Sequence, residues 1–293
     1  MNAIFKSKLM VGALTLMLGA GLVAGCGGSG NGGGAKKEEP KAASDVSGTV
    51  TASGSTALLP FLKPAQEEFQ KKNPKVTVNI AGGGSFTGQN QVAAGSVNIG
   101  NSDVPLQDTL KDKGLTETRL VGIPFVFITN PDVSVDNLTQ QQYIDICSGK
   151  IKNWQEVGGK DQKITIIHRA KSSGSRAAIT EIVLKNGAFT DDAVIQDSNG
   201  AVRAAIASTP GAFGYVDAAY ADQSVKTMAY NGVKYSMENV INGTYPVYTF
   251  GRMFTKGAPT GAVKAFMDYA LSKEFQETYA EKNGFVPITK MKN

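Results

Sequence analysis

Ile164-Thr165-Ile166-Ile167-His168-Arg169-Ala170-Lys171-Ser172-Ser173-Gly174-Ser175-Arg176 changes character in its middle. The first residues continue the apolar–polar alternation of a strand that starts at Lys163, and a helical pattern takes over at Gly174. A strand that ends in Gly and Ser and gives way at once to a helix is one βα step. The same design occurs twice earlier, in Thr49-Val50-Thr51-Ala52-Ser53-Gly54-Ser55-Thr56-Ala57 and in Val78-Asn79-Ile80-Ala81-Gly82-Gly83-Gly84-Ser85-Phe86-Thr87. Working outward, Val76 to Ile80 alternates, and Ile123 to Ile128 is a nearly continuous apolar run of the kind covered on both faces. Helical patterns lie at 57–72, 85–95, 139–149, 174–186, 199–208 and 259–283. This alternation predicts an α/β fold with mainly parallel sheets flanked by helices. A chain of 293 residues is long enough for two lobes. Asn130-Pro131 after Ile123–Thr129, and Tyr245-Pro246 before Val247–Phe254, suggest two strands crossing between them. The expected division is 48–128 plus 249–293 for one lobe and 129–248 for the other.

The three helix starts share a chemistry. The first turn of a helix carries unpaired N–H donors and the positive end of the macrodipole, so it suits an anion. Glycine lets backbone approach closely, and Ser or Thr hydroxyls add donors. Ser55, Thr56 and Ala57, then Ser85, then Ser173, Gly174 and Ser175 are the candidates. Ser and Thr are also ordinary helix caps, and capping alone accounts for any one of the three. Arg169 adds a rigid fork of donors matched to oxyanions. Asp103, at the end of Asn98-Ile99-Gly100-Asn101-Ser102-Asp103, is ordinary in a turn. Beside an anion it would instead select a ligand that still carries a proton and repel one that is fully ionised.

The N-terminus reads as an export leader. Lys6 and Lys8 precede an apolar run, Leu9 to Ala20, that is too short to span a bilayer. Leu22-Val23-Ala24-Gly25-Cys26 resembles a bacterial lipobox with Cys26 as the lipidated residue, and a Gly/Ser/Lys/Glu/Pro tether follows to about Ser47. The expectation is a signal peptide at 1–25, a lipidated Cys26 and tether at 26–47, and anchorage to a bacterial membrane on its periplasmic or extracytoplasmic face. Stable anchoring needs more than one acyl chain, which lipoproteins of this type carry. The net charge of +5 falls by two when Lys6 and Lys8 leave, too little and too interspersed for nucleic acid. Cys147 then has no cysteine partner and reads as a small buried hydrophobe.

Taken together, Gly54-Ser55-Thr56-Ala57-Leu58-Leu59-Pro60, Gly83-Gly84-Ser85-Phe86-Thr87-Gly88, Ser102-Asp103 and Arg169-Ala170-Lys171-Ser172-Ser173-Gly174-Ser175 resemble the phosphate-specific family of extracytoplasmic solute-binding proteins. Phe125–Pro131, Ser148-Gly149-Lys150-Ile151-Lys152-Asn153-Trp154 and Pro210-Gly211-Ala212-Phe213-Gly214-Tyr215-Val216 extend the likeness over nearly the whole folded part. The resemblance implies a two-lobed periplasmic-binding-protein fold of type II that binds inorganic phosphate as a monomer and hands it to the permease subunits of an ABC importer. It implies no cofactor and no metal. Phosphate contacts would come from Ser55, Thr56, Ala57, Ser85, Asp103, Arg169, Ser173, Gly174 and Ser175. Two positions depart from the family pattern: Ser175 stands where Thr is usual, and Lys171 where an acidic residue commonly pairs with the arginine.

Three rival readings remain, one of them a surface lipoprotein that only senses or adheres, which these residues do not separate from a transporter component. A binding protein for sulfate, molybdate or arsenate would use the same helix starts, although Asp103 argues against fully ionised ligands. An exported phosphatase would need a base for a serine nucleophile. The sole histidine, His168, lies in a strand and is expected to point away from the site. Trp154 is expected in the core or between lobes rather than on a ligand.

Overall fold

A computed structural model describes residues 46–291; the expected leader and Cys26, and all but the last two residues of the tether, lie outside the described residues. The chain order is β1 (Gly48–Gly54), α1 (Leu59–Lys72), β2 (Val76–Ala81), α2 (Ser85–Ala93), β3 (Ile99–Ser102), β4 (Leu115–Thr129), β5 (Asn137–Leu138) and α3 (Gln140–Cys147). It continues with β6 (Thr165–Arg169), α4 (Gly174–Ile182), β7 (Val194–Gln196), α5 (Asn199–Ser208), β8 (Ala212–Asp217), β9 (Lys226–Thr227), β10 (Ala229–Tyr230), α6 (Met237–Ile241), β11 (Tyr248–Lys256), α7 (Gly261–Leu271) and β12 (Val286–Pro287).

The main sheet runs in the order β2-β1-β3-β11-β4-β8-β6-β7. Its outer strands are parallel, β1 with β2 and β3, and β6 with β7 and β8. Antiparallel pairing appears where β11 and β4 join the two halves, so each half is mixed where the sequence pattern predicts mainly parallel strands. Residues Leu115 to Pro124 of β4 pair with β11, and Phe125 to Thr129 pair with β8. One strand therefore serves both lobes. Tyr248 lies opposite Pro124, and the Phe125 N–H donates to Val247 O at 2.9 Å, so both crossing segments meet at one level.

Local sequence explains the elements that aim at this region. In α1 the buried positions Phe61, Leu62, Ala65 and Phe69 repeat at helical spacing. Phe61 meets Phe275 and Phe285 edge-on at 5.1 and 5.6 Å. Burial of each such ring contributes about 1.5–3 kcal/mol. Lys71 and Lys72 complement the last turn of the helix. Strand β2 buries Val76, Val78 and Ile80 and exposes the residues between them. In the second half Phe127 stacks on Tyr143 at 3.9 Å, and Trp154 packs edge-on against Phe213 while donating from Nε1 to Gly211 O at 3.0 Å. Trp154 is thus a core residue of one lobe. Cys147 is free and fully buried, and burial pushes its thiol far up.

Two element boundaries differ from the sequence pattern. The stretch 259–283 is not one helix: α7 ends at Leu271, Ser272 caps a new short turn, and one turn of π-helix follows at Gln276–Ala280. Helix α4 stops at Ile182, before Lys185 and Asn186 take left-handed backbone angles.

Candidate functional site

All three glycine- and serine-rich helix starts arrive at one carboxylate. Asp103 follows β3 and is 1 % exposed. The Ser55 hydroxyl, from the turn between β1 and α1, donates to its Oδ1. The Ser175 hydroxyl, in the first turn of α4, donates to its Oδ2 at 3.0 Å. Ser85, the first residue of α2, accepts from the Asp103 N–H at 2.9 Å. Gly174 lies so close that an added Cβ would stand 2.1 Å from Ser85 Oγ and 3.0 Å from Asp103 Cβ. Gly84 makes a similar approach: its Cβ would fall 2.5 Å from Ser172 O, and the next amide but one, Phe86 N–H, donates to that same oxygen at 3.2 Å. The two lobes therefore touch through backbone at this point.

Ser173 caps α4, accepting from the Arg176 N–H at 3.2 Å. Ala57 is fully buried in the turn before α1. Thr56, also buried, accepts at Oγ1 from Asn199 Nδ2 at 3.1 Å. Asn199 opens α5, so a fourth helix start joins the three marked in the sequence. Each contributes the positive end of a helix dipole, which concentrates positive potential on a small volume without a mobile charge.

Arg169 ends β6 and is 1 % exposed. Its Nε donates to Gln196 O at 3.3 Å and its Nη2 to Asp197 O at 2.8 Å. Its Nη1 is buried with no hydrogen-bond partner among the described residues. A buried donor left unmatched on a charged group costs about 1–3 kcal/mol or more, so this atom points to an anionic acceptor. Burial lowers the Arg169 pKa, while the charges of Asp103 and of nearby tyrosine hydroxyls oppose the shift. Asp103 moves the other way: burial raises its pKa, and the hydroxyls of Ser55 and Ser175 and the charges of Arg169 and Arg252 pull it down.

Lys171 is exposed and lies beside Arg176 and Thr180 on the surface. The absence of an acidic residue there does not loosen Arg169, because two backbone carbonyls hold the guanidinium instead. His168 is buried, stacked on Phe189 at 4.6 Å, and its Nδ1–H donates to Arg169 O at 3.1 Å. Burial lowers its pKa.

Sequence reasoning did not single out three residues. Asn199 and Tyr220 both reach Thr56, the tyrosine O–H donating to Thr56 O at 2.6 Å. Arg252 donates from Nη1 to Asp103 O at 3.1 Å and from Nε to Glu117 at 2.9 Å, so it fixes the main chain of Asp103 from behind. The pattern Ser198-Asn199-Gly200 after a strand is the same signal that marked the other three starts. Among the described residues there is no cluster of His, Cys, Asp and Glu able to hold a metal ion, and no helix long and apolar enough to cross a membrane.

Comparison with known proteins agrees with this geometry. The profile of the PBP superfamily domain matches residues 39–274. The phosphate-binding protein PstS of Bacillus subtilis is 37 % identical over 292 residues, covering 98 % of this chain and 96 % of the relative. PstS of Borreliella burgdorferi is 28 % identical, covering 82 % of this chain and 90 % of the relative. A Clostridium perfringens structure, assigned to a phosphate ABC transporter substrate-binding protein and solved with bound phosphate, is 32 % identical with a TM-score of 0.79, over 82 % of this chain and all of the other. With three helix starts gathered on a buried Asp, and relatives matching along almost its whole length, this chain belongs to the PBP superfamily and, within it, to the PstS phosphate-binding proteins.

Proposed function

We propose that the protein captures inorganic phosphate between its two lobes and delivers it to the permease of an ABC importer. The observation that carries this reading is the buried Nη1 of Arg169, a charged donor without a partner among the described residues, next to a carboxylate ringed by hydroxyls from both lobes. Ser55, Thr56, the Ala57 N–H and Ser85 bind from one side. Ser173, Gly174, Ser175 and Arg169 bind from the other, and Asp103 accepts a hydrogen bond from the proton the ligand still carries. The lobes divide as 48–128 plus 249–293 and 129–248, which the change of partner along β4 supports. The ligand, by touching both lobes, favours the closed arrangement through differential contacts.

The protein acts as a monomeric carrier without enzymatic activity. The His168 ring is committed to Phe189 and to a carbonyl, which leaves the site serines without an imidazole base. Cys26 carries the lipid that tethers the protein to a bacterial membrane on its periplasmic or extracytoplasmic face.

Isothermal titration of the purified chain tests the reading. One-to-one binding of phosphate, with no heat from sulfate near neutral pH, is the expected result. Preference for sulfate or molybdate would overturn the ligand, and silence toward all three would overturn capture. Arsenate, nearly isosteric and protonated at the same pH, is expected to compete with phosphate.

Gly174→Ala tests the closeness of the lobes. Its Cβ would collide with Ser85 Oγ, and relieving such overpacking costs about 1–3 kcal/mol. The loss should fall on phosphate affinity rather than on the unfolding midpoint of the free protein, because only the closed arrangement brings these atoms together. Titration and thermal unfolding run side by side separate the two; undiminished affinity would contradict the arrangement.

A further inference from the structure

We propose that Asn199 is a positioning residue for phosphate capture: it fixes the direction of the Thr56 O–H so that its proton is presented to the ligand. This rests on the phosphate reading given above and adds a residue that does not itself need to touch the anion.

The orientation of the Asn199 amide is forced by its surroundings. Its Oδ1 accepts from the Asp217 N–H at 3.1 Å. A backbone N–H only donates, so the atom facing it must be oxygen, and the atom facing Thr56 must be the NH₂ group. That group donates to Thr56 Oγ1 at 3.1 Å, and the Asn199 N–H approaches the same oxygen at 3.4 Å. A hydroxyl has one proton and two lone pairs. With donors directed at its oxygen from α5, Thr56 keeps its own proton for another acceptor. Asn199 is fully buried and Thr56 is 5 % exposed, so water does not compete freely for these bonds.

The relay spans the cleft. Thr56 precedes α1 in one lobe, while Asn199 and Asp217 belong to α5 and β8 in the other. Tyr220 holds the main chain of the same threonine by donating to its carbonyl. Thr56 is thus gripped at two atoms by side chains of the opposite lobe, and its hydroxyl is aimed only when the lobes are together.

A plain latch would use the same contacts, and Asn199→Asp separates the two roles. The aspartate has the same shape, keeps an acceptor for the Asp217 N–H, and still bonds Thr56, but with reversed polarity. The Thr56 proton then points at residue 199 and away from phosphate. Titration of the full chain with inorganic phosphate should show Asn199→Ala binding about tenfold more weakly and Asn199→Asp about a hundredfold more weakly. Simple charge repulsion would give the aspartate the same penalty in any background. The relay predicts instead that in a Thr56→Val background Asn199→Asp adds no more than about threefold, because coupled residues are not additive. Thr56→Ser, which keeps the hydroxyl, should stay within about threefold of wild type.

Asn199→Asp binding within about twofold of wild type, or the same fold-loss with and without the Thr56 hydroxyl, would overturn the relay. If Asn199→Ala does not fold, the isosteric aspartate and the Thr56 variants still decide. Failure of the wild-type chain to bind phosphate would overturn the functional reading and the relay together, whereas failure of the variants alone to respond removes only the relay.

Discussion

Arg169→Ala is expected to weaken phosphate binding by about 2–5 kcal/mol, the range for truncating one member of a buried, hydrogen-bonded charge pair. Two of its nitrogens are spent on the carbonyls of Gln196 and Asp197, and the third is left for the ligand. Loss of the side chain strands those carbonyls and also removes a positive charge that faces Asp103. The free protein should therefore lose some stability too, about 1–3 kcal/mol. Arg169→Lys keeps the charge but cannot bridge two carbonyls and an anion at once, so it should recover only part of the affinity. Titration at fixed ionic strength, with unfolding midpoints as control, measures both effects. Unchanged phosphate affinity in the alanine variant would remove Arg169 from the site.

Asp103→Asn is expected to admit sulfate. An ionised carboxylate only accepts hydrogen bonds, so an ion with no proton meets lone pairs and like charge. An amide in the same place offers donors, and replacing an unmatched buried acceptor is worth about 1–3 kcal/mol. Phosphate binding should survive in weakened form. The wild type should show a related pH dependence. Burial raises the Asp103 pKa, so the carboxyl takes up a proton at higher pH than an exposed aspartate would. The protonated form donates. Sulfate affinity in the wild type should then rise as pH falls and vanish as pH rises, while the asparagine variant stays flat. Competition titrations against phosphate over that range check the sign, and a variant still silent to sulfate would sink the proton-selection argument.

The site was legible where composition changes abruptly along the chain. Ser55, Ser85 and Ser173–Ser175 follow strands long enough to show alternation, and the repetition of Gly beside them marks three starts of which capping alone would explain any one. Asn199 follows β7, only three residues long, and Ser198 before it already serves as an ordinary cap for the Ala201 N–H. Its partner Thr56 is 143 positions away, a separation that no local signal reports. Arg252 was hidden for the same reason. Its meaning comes from the antiparallel register that sets it opposite Ser102, next to Asp103. In the fold, Ile123–Ile128 announced itself by being apolar, whereas Thr116-Glu117-Thr118-Arg119, in the earlier part of the same strand, is polar and mostly exposed. Its strand character comes from pairing with β11, which no local pattern reports.

The place of β11 also fixes the order in which the molecule can be assembled. It lies between β3 and β4, two strands that follow one another in the chain, yet it is made of Tyr248–Lys256. A nascent chain that stops short of those residues has a gap in the middle of its first lobe, with the facing edges of β3 and β4 unpaired. Contacts of such long sequence separation form late. Strands β1, β2 and β3 can pair among themselves, but the gap between β3 and β4 closes only once most of the protein has emerged.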